Sequence, residues 1–384
     1  MTARKYLRPT LVAIGISYLF AIFCVIHFGG LQYFRDLQKI AEIENNASTT
    51  VPPPRKVFIF AATTWFDKPM TNSLLAKCSE EIRNFCSITM DKSEFSNADG
   101  VLFHSRDFDE KKLSEFNLPR NYDIPYVMMT QENPFYAYLG EYRNFFNWTM
   151  SYRKDSDVYY PYGALEKLEK KAKIDYQKIW SSKTKTAIWM SSSGGTNLNS
   201  RHKFIQKLIE KSIDVDLFGM AFNNQPADCP RSQHATSCNE KLLKPYKFYM
   251  SFENSNCKDY VTEKFWQKTG DFGLVPIVFS RGVYRNLGIP DEVYIAVEDY
   301  PNIDKFVEYL NFVSKNQTEF LKYHKWREDY RILSFDEGNH GHCQLCQKLK
   351  NHREKSEIQQ KSYENLKAWH STSDCDNDFV GKYL

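Results

Sequence analysis

The chain of 384 residues has almost no excess charge, with 51 Lys and Arg against 47 Asp and Glu, a formal +4. That balance argues against a nucleic-acid binder, which would need a broad phosphate-seeking field. Glycine and proline are sparse, at 16 and 15 residues, so a collagen-like or low-complexity chain is excluded. Nine cysteines over this length are too dilute for a small disulfide scaffold. Internal repeats are lacking, and long hydrophobic runs are lacking but for one. What is present is a 42% hydrophobic composition, enough for buried cores, on a length that suits two domains. The 28 Phe, 24 Tyr and 7 Trp suit carbohydrate binding, but most are expected in the core.

The single long apolar run covers Thr10 to Phe28, 19 residues without a formal charge, which matches the length needed to cross a bilayer. Arg4, Lys5 and Arg8 precede it with no acid, so residues 1–9 are expected in the cytosol and the remainder in the lumen. A cleaved signal peptide is the competing reading, but the stretch is long for one and no clean cleavage site follows. Residues 29–55, ending near Pro52-Pro53-Pro54, read as a stem that holds a domain off the membrane. The first 55 residues hold six Lys and Arg against three Asp and Glu, leaving only +1 for the rest of the chain. An oxidising lumen makes disulfides the expected state of the cysteines, and the sequons at Asn46, Asn147 and Asn316 are candidate glycosylation sites.

Short apolar runs at Val57 to Phe60, Gly100 to His104 and Tyr126 to Met129 predict buried parallel strands. Further strands are expected at Thr186 to Met190, Val215 to Phe218, Tyr246 to Phe252, Leu274 to Phe279 and Val293 to Val297. Helical spacing marks Arg201 to Lys211, Tyr260 to Lys268, Ile303 to Val313 and Thr318 to Asp329. Strand and helix alternating with short links predicts an α/β fold with parallel sheets, in two units divided by the basic linker Lys167 to Lys185. The charged stretch Leu165 to Lys173 reads as a solvated helical connector.

Open α/β sheets bind ligands beyond the carboxyl ends of their strands, so residues following each run are the candidates. Glu132 is one, in Thr-Gln-Glu-Asn-Pro, where a single carboxylate suits a general base or a turn cap. The most unusual stretch runs from Ser251 to Lys264: a strand ends in consecutive polar groups and a helix opens within a few residues. Asp259 is expected to cap that helix, whose N-terminus, with Lys264, would suit an anion. Ser191 to Gly195 form a second small-residue loop, with Arg201 on the helix beyond it. Neither loop has the P-loop or Gly-x-Gly-x-x-Gly pattern, and no Asp-x-Asp follows a strand; Asp155-Ser-Asp157 reads as structural. His340-Gly-His342-Cys343-Gln-Leu-Cys346 allows a zinc site, but disulfides are the better reading in a lumen.

The constellation resembles the α1,3-fucosyltransferases, Golgi enzymes that use GDP-fucose. The resemblance rests on Phe252-Glu-Asn-Ser255 with Asp259-Tyr-Val-Thr-Glu-Lys264. It is supported in order by Trp65-Phe-Asp-Lys-Pro69, Met150 to Asp157, Pro161-Tyr-Gly163, Tyr246 to Tyr249 and Trp326-Arg327. It implies a GT-B fold of two facing Rossmann-like domains, an acceptor-binding one at 56–180 and a GDP-fucose-binding one at 181–348, with a tail at 349–384. It places Glu132 as catalytic base, Arg201 and Lys264 on the diphosphate, and Asn254, Tyr260 and Glu263 on the donor. It pairs Cys343 and Cys346 with Cys78 and Cys86. It implies no required cofactor, with a divalent metal at most stimulatory, and a GlcNAc-bearing glycan acceptor that is left open between N-glycan core, N-acetyllactosamine and LacdiNAc. Departures occur at Asn133 and Ser105, and in a longer segment, Asn223 to Asn239, where Cys229 and Cys238 suggest a local bridge. Cys257 and Cys375 stay unassigned. Another metal-independent nucleotide-sugar transferase and a catalytically silent glycan-binding protein are the alternatives.

Overall fold

The structure is a computed structural model. It describes residues 55–384 except 110, 112–113, 115–117, 193–197, 225–235, 271, 335–340 and 355–360, and for 236–239 and 334 only the backbone. The apolar segment 10–28, the stem, Asn46 and the expected Cys229–Cys238 bridge lie outside this description. Among the described residues no helix is long and apolar enough to cross a membrane.

Six short strands form the first sheet: β1 (Val57–Ala61), β2 (Cys86–Thr89), β3 (Gly100–His104), β4 (Tyr126–Thr130), β5 (Trp148–Ser151) and β6 (Val158–Tyr159). They are all parallel, in the order β2-β1-β3-β4-β5-β6. β3 and β4 are buried along their whole length, as strands covered on both faces must be. Ile59, Leu102, Val127 and Met129 project to one side with Leu345 and Leu349; Phe60, Phe103, Tyr126 and Met128 project to the other with Tyr363 and Leu366. Both covers include residues from the far end of the chain.

After β7 (Gly163–Lys167), a second parallel sheet is built from β8 (Lys185–Met190), β9 (Val215–Phe218), β10 (Tyr246–Met250), β11 (Val275–Val278) and β12 (Ile295–Ala296), in the order β12-β11-β10-β8-β9. Helix α1 (Arg201–Glu210) buries Phe204, Ile205 and Leu208 against it, at the spacing that puts one helical face inward. α2 (Glu263–Gly270) follows β10, and α3 (Ile303–Lys315) adds Phe306, Leu310 and Val313 to the same core. β13 (Tyr330–Ser334) pairs antiparallel with β7.

Three expectations are corrected here. The stretch from Leu165 is strand to Lys167 and irregular beyond it, not connector helix, because β13 supplies a pairing partner; Gly163 is needed there, since a Cβ would sit 2.5 Å from the Trp266 ring. The helix expected over Thr318 to Asp329 ends at Lys322 and resumes as a 3-10 turn before β13. The expected tail is folded structure. α4 (Gly341–Arg353) covers the first sheet, held by the Cys78–Cys343 and Cys86–Cys346 disulfides, and α5 (Leu366–Trp369) lies beyond it. Phe379 and Val380 then enter the core of the second sheet. The Cys343 and Cys346 sulfurs are consumed in these bridges, which removes the zinc reading.

The strand orders reverse between β1 and β3 in one sheet and between β8 and β10 in the other. Those switch points are where open α/β sheets leave a crevice at the carboxyl ends of their strands.

Candidate active site

Glu132 follows β4 by two residues, one strand over from the first switch point. Its carboxylate is largely covered, and burial raises its pKa above the ordinary carboxylate value; Arg106 and Lys264 pull it down, while Glu263 and Glu253 push it further up. Glu132 is thus in the electrostatic field of the residues that follow β10, 121 or more positions along the chain. Arg106 Nη1 lies 3.9 Å from Glu132 Oε1. Of His104-Ser105-Arg106 only the arginine faces outward, near the exposed rings of Phe66 and Tyr138 at 5.8 and 5.2 Å. His104 is buried and bonded to Asp107 at 2.8 Å.

The backbone of the turn around Glu132 is held from several sides. Tyr162 donates its hydroxyl to the Gln131 carbonyl at 2.5 Å, and Gln131 Nε2 donates to the Tyr160 carbonyl at 3.3 Å. His370 Nε2 lies 2.9 Å from the Glu132 carbonyl oxygen. Asn133 accepts the Phe135 N–H on Oδ1 and donates from Nδ2 to Asn254 Oδ1 at 2.9 Å, joining the ends of β4 and β10 directly.

The loop from β10 to α2 is organised by Glu253. This buried carboxylate accepts the Thr262 N–H at 2.7 Å and the Thr262 hydroxyl at 2.8 to 2.9 Å, and it pairs with Lys264 Nζ at 3.1 Å. Burial raises its pKa and Lys264 opposes the rise. Lys264 also meets Glu263 at 3.1 Å and Thr262 Oγ1 at 2.8 Å. Burial disfavours the ammonium charge, yet Glu253 and Glu263 more than offset it, so the Lys264 pKa is raised and the side chain stays cationic. The helix opens at Glu263, three residues later than the spacing predicts, because Thr262 and not Asp259 stands before its first turn: Thr262 Oγ1 accepts the Lys264 N–H at 3.4 Å. Asp259 sits at φ 59° and turns its carboxylate to the Lys154 N–H and to Asn286 Nδ2.

The sequence-expected donor residues are gathered in one region, in different postures. Arg201, at the start of α1, is buried and donates from Nη1 to the Phe252 carbonyl at 2.8 Å. Tyr260 is packed inward between Tyr152 and Tyr162, with ring centroids 4.9 and 6.3 Å away. Glu263 and Lys264 keep part of their side chains accessible. In the loop after β8, residues 193–197 lie outside the described residues. Ser191 is held at its base by Gly219: a Cβ there would fall 2.2 Å from the Ser191 carbonyl, and φ is 111°.

Sequence reasoning missed the C-terminal strap. A Cys257–Cys375 disulfide fastens residues 361–384 to the loop after β10. Asn377 Oδ1 accepts from Ser255 Oγ and from the Asn256 N–H, each at 2.9 Å, and Asp374 pairs with Arg153 at 2.6 Å. Asp155 also pairs with Arg153, at 2.8 Å, and Asp157 accepts the Thr149 N–H and the Tyr363 hydroxyl, so that Asp-Ser-Asp element is structural as expected. Among the described residues no group of three or more His, Cys, Asp or Glu is arranged to hold a metal ion. At the Asn147 sequon the side chain is buried, with Oδ1 accepting the Tyr126 N–H and Nδ2 donating to the Lys361 carbonyl. Asn316 is half-buried and accepts the Glu319 N–H on Oδ1, capping the next helix.

The fucosyltransferase N-terminal region matches residues 54–163, and the C-terminal region of glycosyltransferase family 10 (fucosyltransferase) matches residues 180–369. The chain belongs to glycosyltransferase family 10. It is 49% identical over 368 residues to an α-(1,3)-fucosyltransferase of Caenorhabditis elegans, fut-5, covering 96% of this chain and 97% of that one. A second from the same organism, fut-6, is 40% identical over 354 residues, 90% of this chain and 89% of its own. A crystal structure of an α1,3-fucosyltransferase aligns with 79% of this chain and 92% of its own at 18% identity, with a TM-score of 0.49. The enzyme is a glycosyltransferase with α1,3-fucosyltransferase activity, as the sequence motifs predict.

Proposed function

We propose that this fucosyltransferase moves L-fucose from GDP-β-L-fucose to the 3-hydroxyl of a GlcNAc unit by a single displacement with inversion, Glu132 acting as general base. The supporting observation is the position of Glu132, a partly desolvated carboxylate at the end of β4 in the field of Lys264. A base with a raised pKa is better matched to taking a proton from a sugar hydroxyl near neutral pH. The two parallel sheets are read as the two halves of a GT-B fold, residues 56–180 receiving the acceptor and 181–348 the donor. Phe66, Tyr138 and Arg106 offer the acceptor an aromatic and cationic face beside Glu132.

On the donor side, Lys264 would exchange a carboxylate partner for the diphosphate, and Arg201 would support the site through the Phe252 carbonyl. Charge-assisted hydrogen bonds of this kind stabilise a departing phosphate as its charge develops. Asn254 and Glu263 would also contact the donor. Tyr260, buried as it is, would serve the donor site as a wall. The catalytic part is proposed to lie in the Golgi lumen behind a type II membrane anchor at residues 10–28. The uncharged apolar run supports the anchor, and three disulfides suit an oxidising compartment.

The deciding experiment is Glu132→Gln, assayed with labelled GDP-fucose and a panel of N-glycan core, N-acetyllactosamine and LacdiNAc acceptors. The variant is expected to bind GDP normally and to lose roughly 10²- to 10⁴-fold in turnover. Near-normal turnover removes Glu132 from its role.

A further inference from the structure

The main chain around Glu132 is bonded by side chains from separate segments: Tyr162 takes the Gln131 carbonyl, His370 the Glu132 carbonyl, and Asn254 the Asn133 amide. Such convergence is what holds a reacting group in one geometry. Tyr162 and Asn254 belong to segments that the family motifs already mark. His370 does not: it lies 238 positions from Glu132, in the strap that ends the chain.

We infer that His370 is a positioning residue for the catalytic base, fixing the Glu132 main chain and with it the direction of the carboxylate. The inference rests on the reading of Glu132 as base.

A carbonyl oxygen only accepts, so His370 Nε2 carries the hydrogen and donates it. His370 Nδ1 is buried with no hydrogen-bond partner among the described residues, which suits a bare ring nitrogen and not a second N–H. Burial holds the pKa down at about 4, so the ring is neutral and the donor unchanged over the working range. The ring itself is fixed by its surroundings. The His370 backbone N–H donates to the Leu366 carbonyl at 2.9 Å, the Tyr152 ring lies 5.8 Å from the imidazole, and Trp369 stacks beside it. Trp369 in turn lies under the Arg153 guanidinium at 4.8 Å, and Arg153 pairs with Asp374. One residue further along, Cys375 is bridged to Cys257 in the loop after β10. The strap therefore ties the position of the base to the loop that carries the proposed donor-gripping Lys264. A buried histidine that merely satisfies a stray carbonyl would have the same hydrogen bond, so the test must separate positioning from stability.

The full chain is assayed with His370→Phe and His370→Met, which remove the donor with two different shapes, and with His370→Gln, which restores an N–H near the position of Nε2. Melting temperature, GDP affinity, kcat and both KM values are measured for each. The donorless variants are expected to lose about 10- to 100-fold in kcat, the scale of a small misplacement of a reacting group. Their KM for GDP-fucose should stay within about two-fold, and His370→Gln should recover most of the kcat at a similar melting temperature. Unchanged kcat in the donorless variants overturns the inference, as does equal loss in all three or a loss confined to GDP-fucose KM. Glu132→Gln run in parallel keeps the two readings apart. Near-normal turnover there refutes the base itself, whereas an inactive Glu132→Gln beside unaffected His370 variants refutes only the positioning role.

Discussion

Removing the Cys257–Cys375 bridge by the double substitution to alanine tests how the strap is stabilised. The bridge closes a loop with a sequence separation of 118, and neither of the bridges to α4 shortens that path. Loop-closure entropy for that length comes to about 4.9 kcal/mol at 25 °C, against a typical measured range of about 2–4. The other native contacts of the strap do not pass through the sulfurs: Asn377 holds Ser255 and Asn256, Asp374 holds Arg153, and Phe379 and Val380 lie in the core. The loss should therefore fall on the unfolded chain's freedom, at about 3–4 kcal/mol. One kcal/mol shifts the melting temperature of a large domain by about 2 °C, so a fall of roughly 6–8 °C is expected. The assay is thermal unfolding by circular dichroism on protein whose other two bridges are verified by peptide mass, with amide exchange across 361–384 at 25 °C. A fall below about 2 °C refutes the entropic account. Rapid exchange confined to the strap would show instead that the bridge holds the native state together locally.

Replacing Arg106 with methionine removes a cation 3.9 Å from Glu132 and should raise the carboxyl pKa further. Activity that needs the ionised base is present above that pKa, so the acid limb of kcat/KM should move to higher pH. For a half-exposed pair worth about 0.2–1 kcal/mol the movement is roughly 0.1–0.7 pH units, and a shift to lower pH would contradict the assignment. Lys264→Ala should weaken GDP binding by about 10- to 100-fold, the scale of 1.5–3 kcal/mol for a hydrogen bond to a charged group, and calorimetry reading unchanged affinity would count against its place on the diphosphate. It also leaves buried Glu253 without its cation, so acid stability should improve relative to neutral: with its folded pKa raised, Glu253 favours the fold while protonated and loses that contribution as pH rises through the raised value. Asn147→Gln should leave the glycoprotein mass unchanged while lowering stability by about 1–3 kcal/mol, because buried bonds to Tyr126 and Lys361 are disturbed; a lost glycan on mass spectrometry would reverse that reading.

Much of the frame was legible because strands buried on both faces leave continuous apolar runs, and β3, buried along its whole length, falls on the residues its run predicts. β2 and β5 were not, because Cys86-Ser-Ile-Thr89 and Trp148-Thr-Met-Ser151 alternate polar and apolar residues over too few positions to stand out. The start of α2 was misread for a different reason. Asp259 has the chemistry of a cap, but its carboxylate is taken by Lys154 and Asn286, residues far away in sequence, and Glu253 rather than any local signal fixes Thr262 at the helix start. Glu253 itself was within a motif that sequence singled out, yet its role as the anchor of the loop depends on a turn that brings a residue nine positions later onto it. The strap was the least legible part. A segment with Tyr363, Leu366, Trp369 and Phe379 set among polar residues gives no periodicity, since it contacts two sheets in turn instead of one face of one element. Local pattern reports what a residue does for its own helix or strand. The geometry around Glu132 is made by long-range pairs, His370 and Asn254 above all, and these become visible only when the chain has closed on itself.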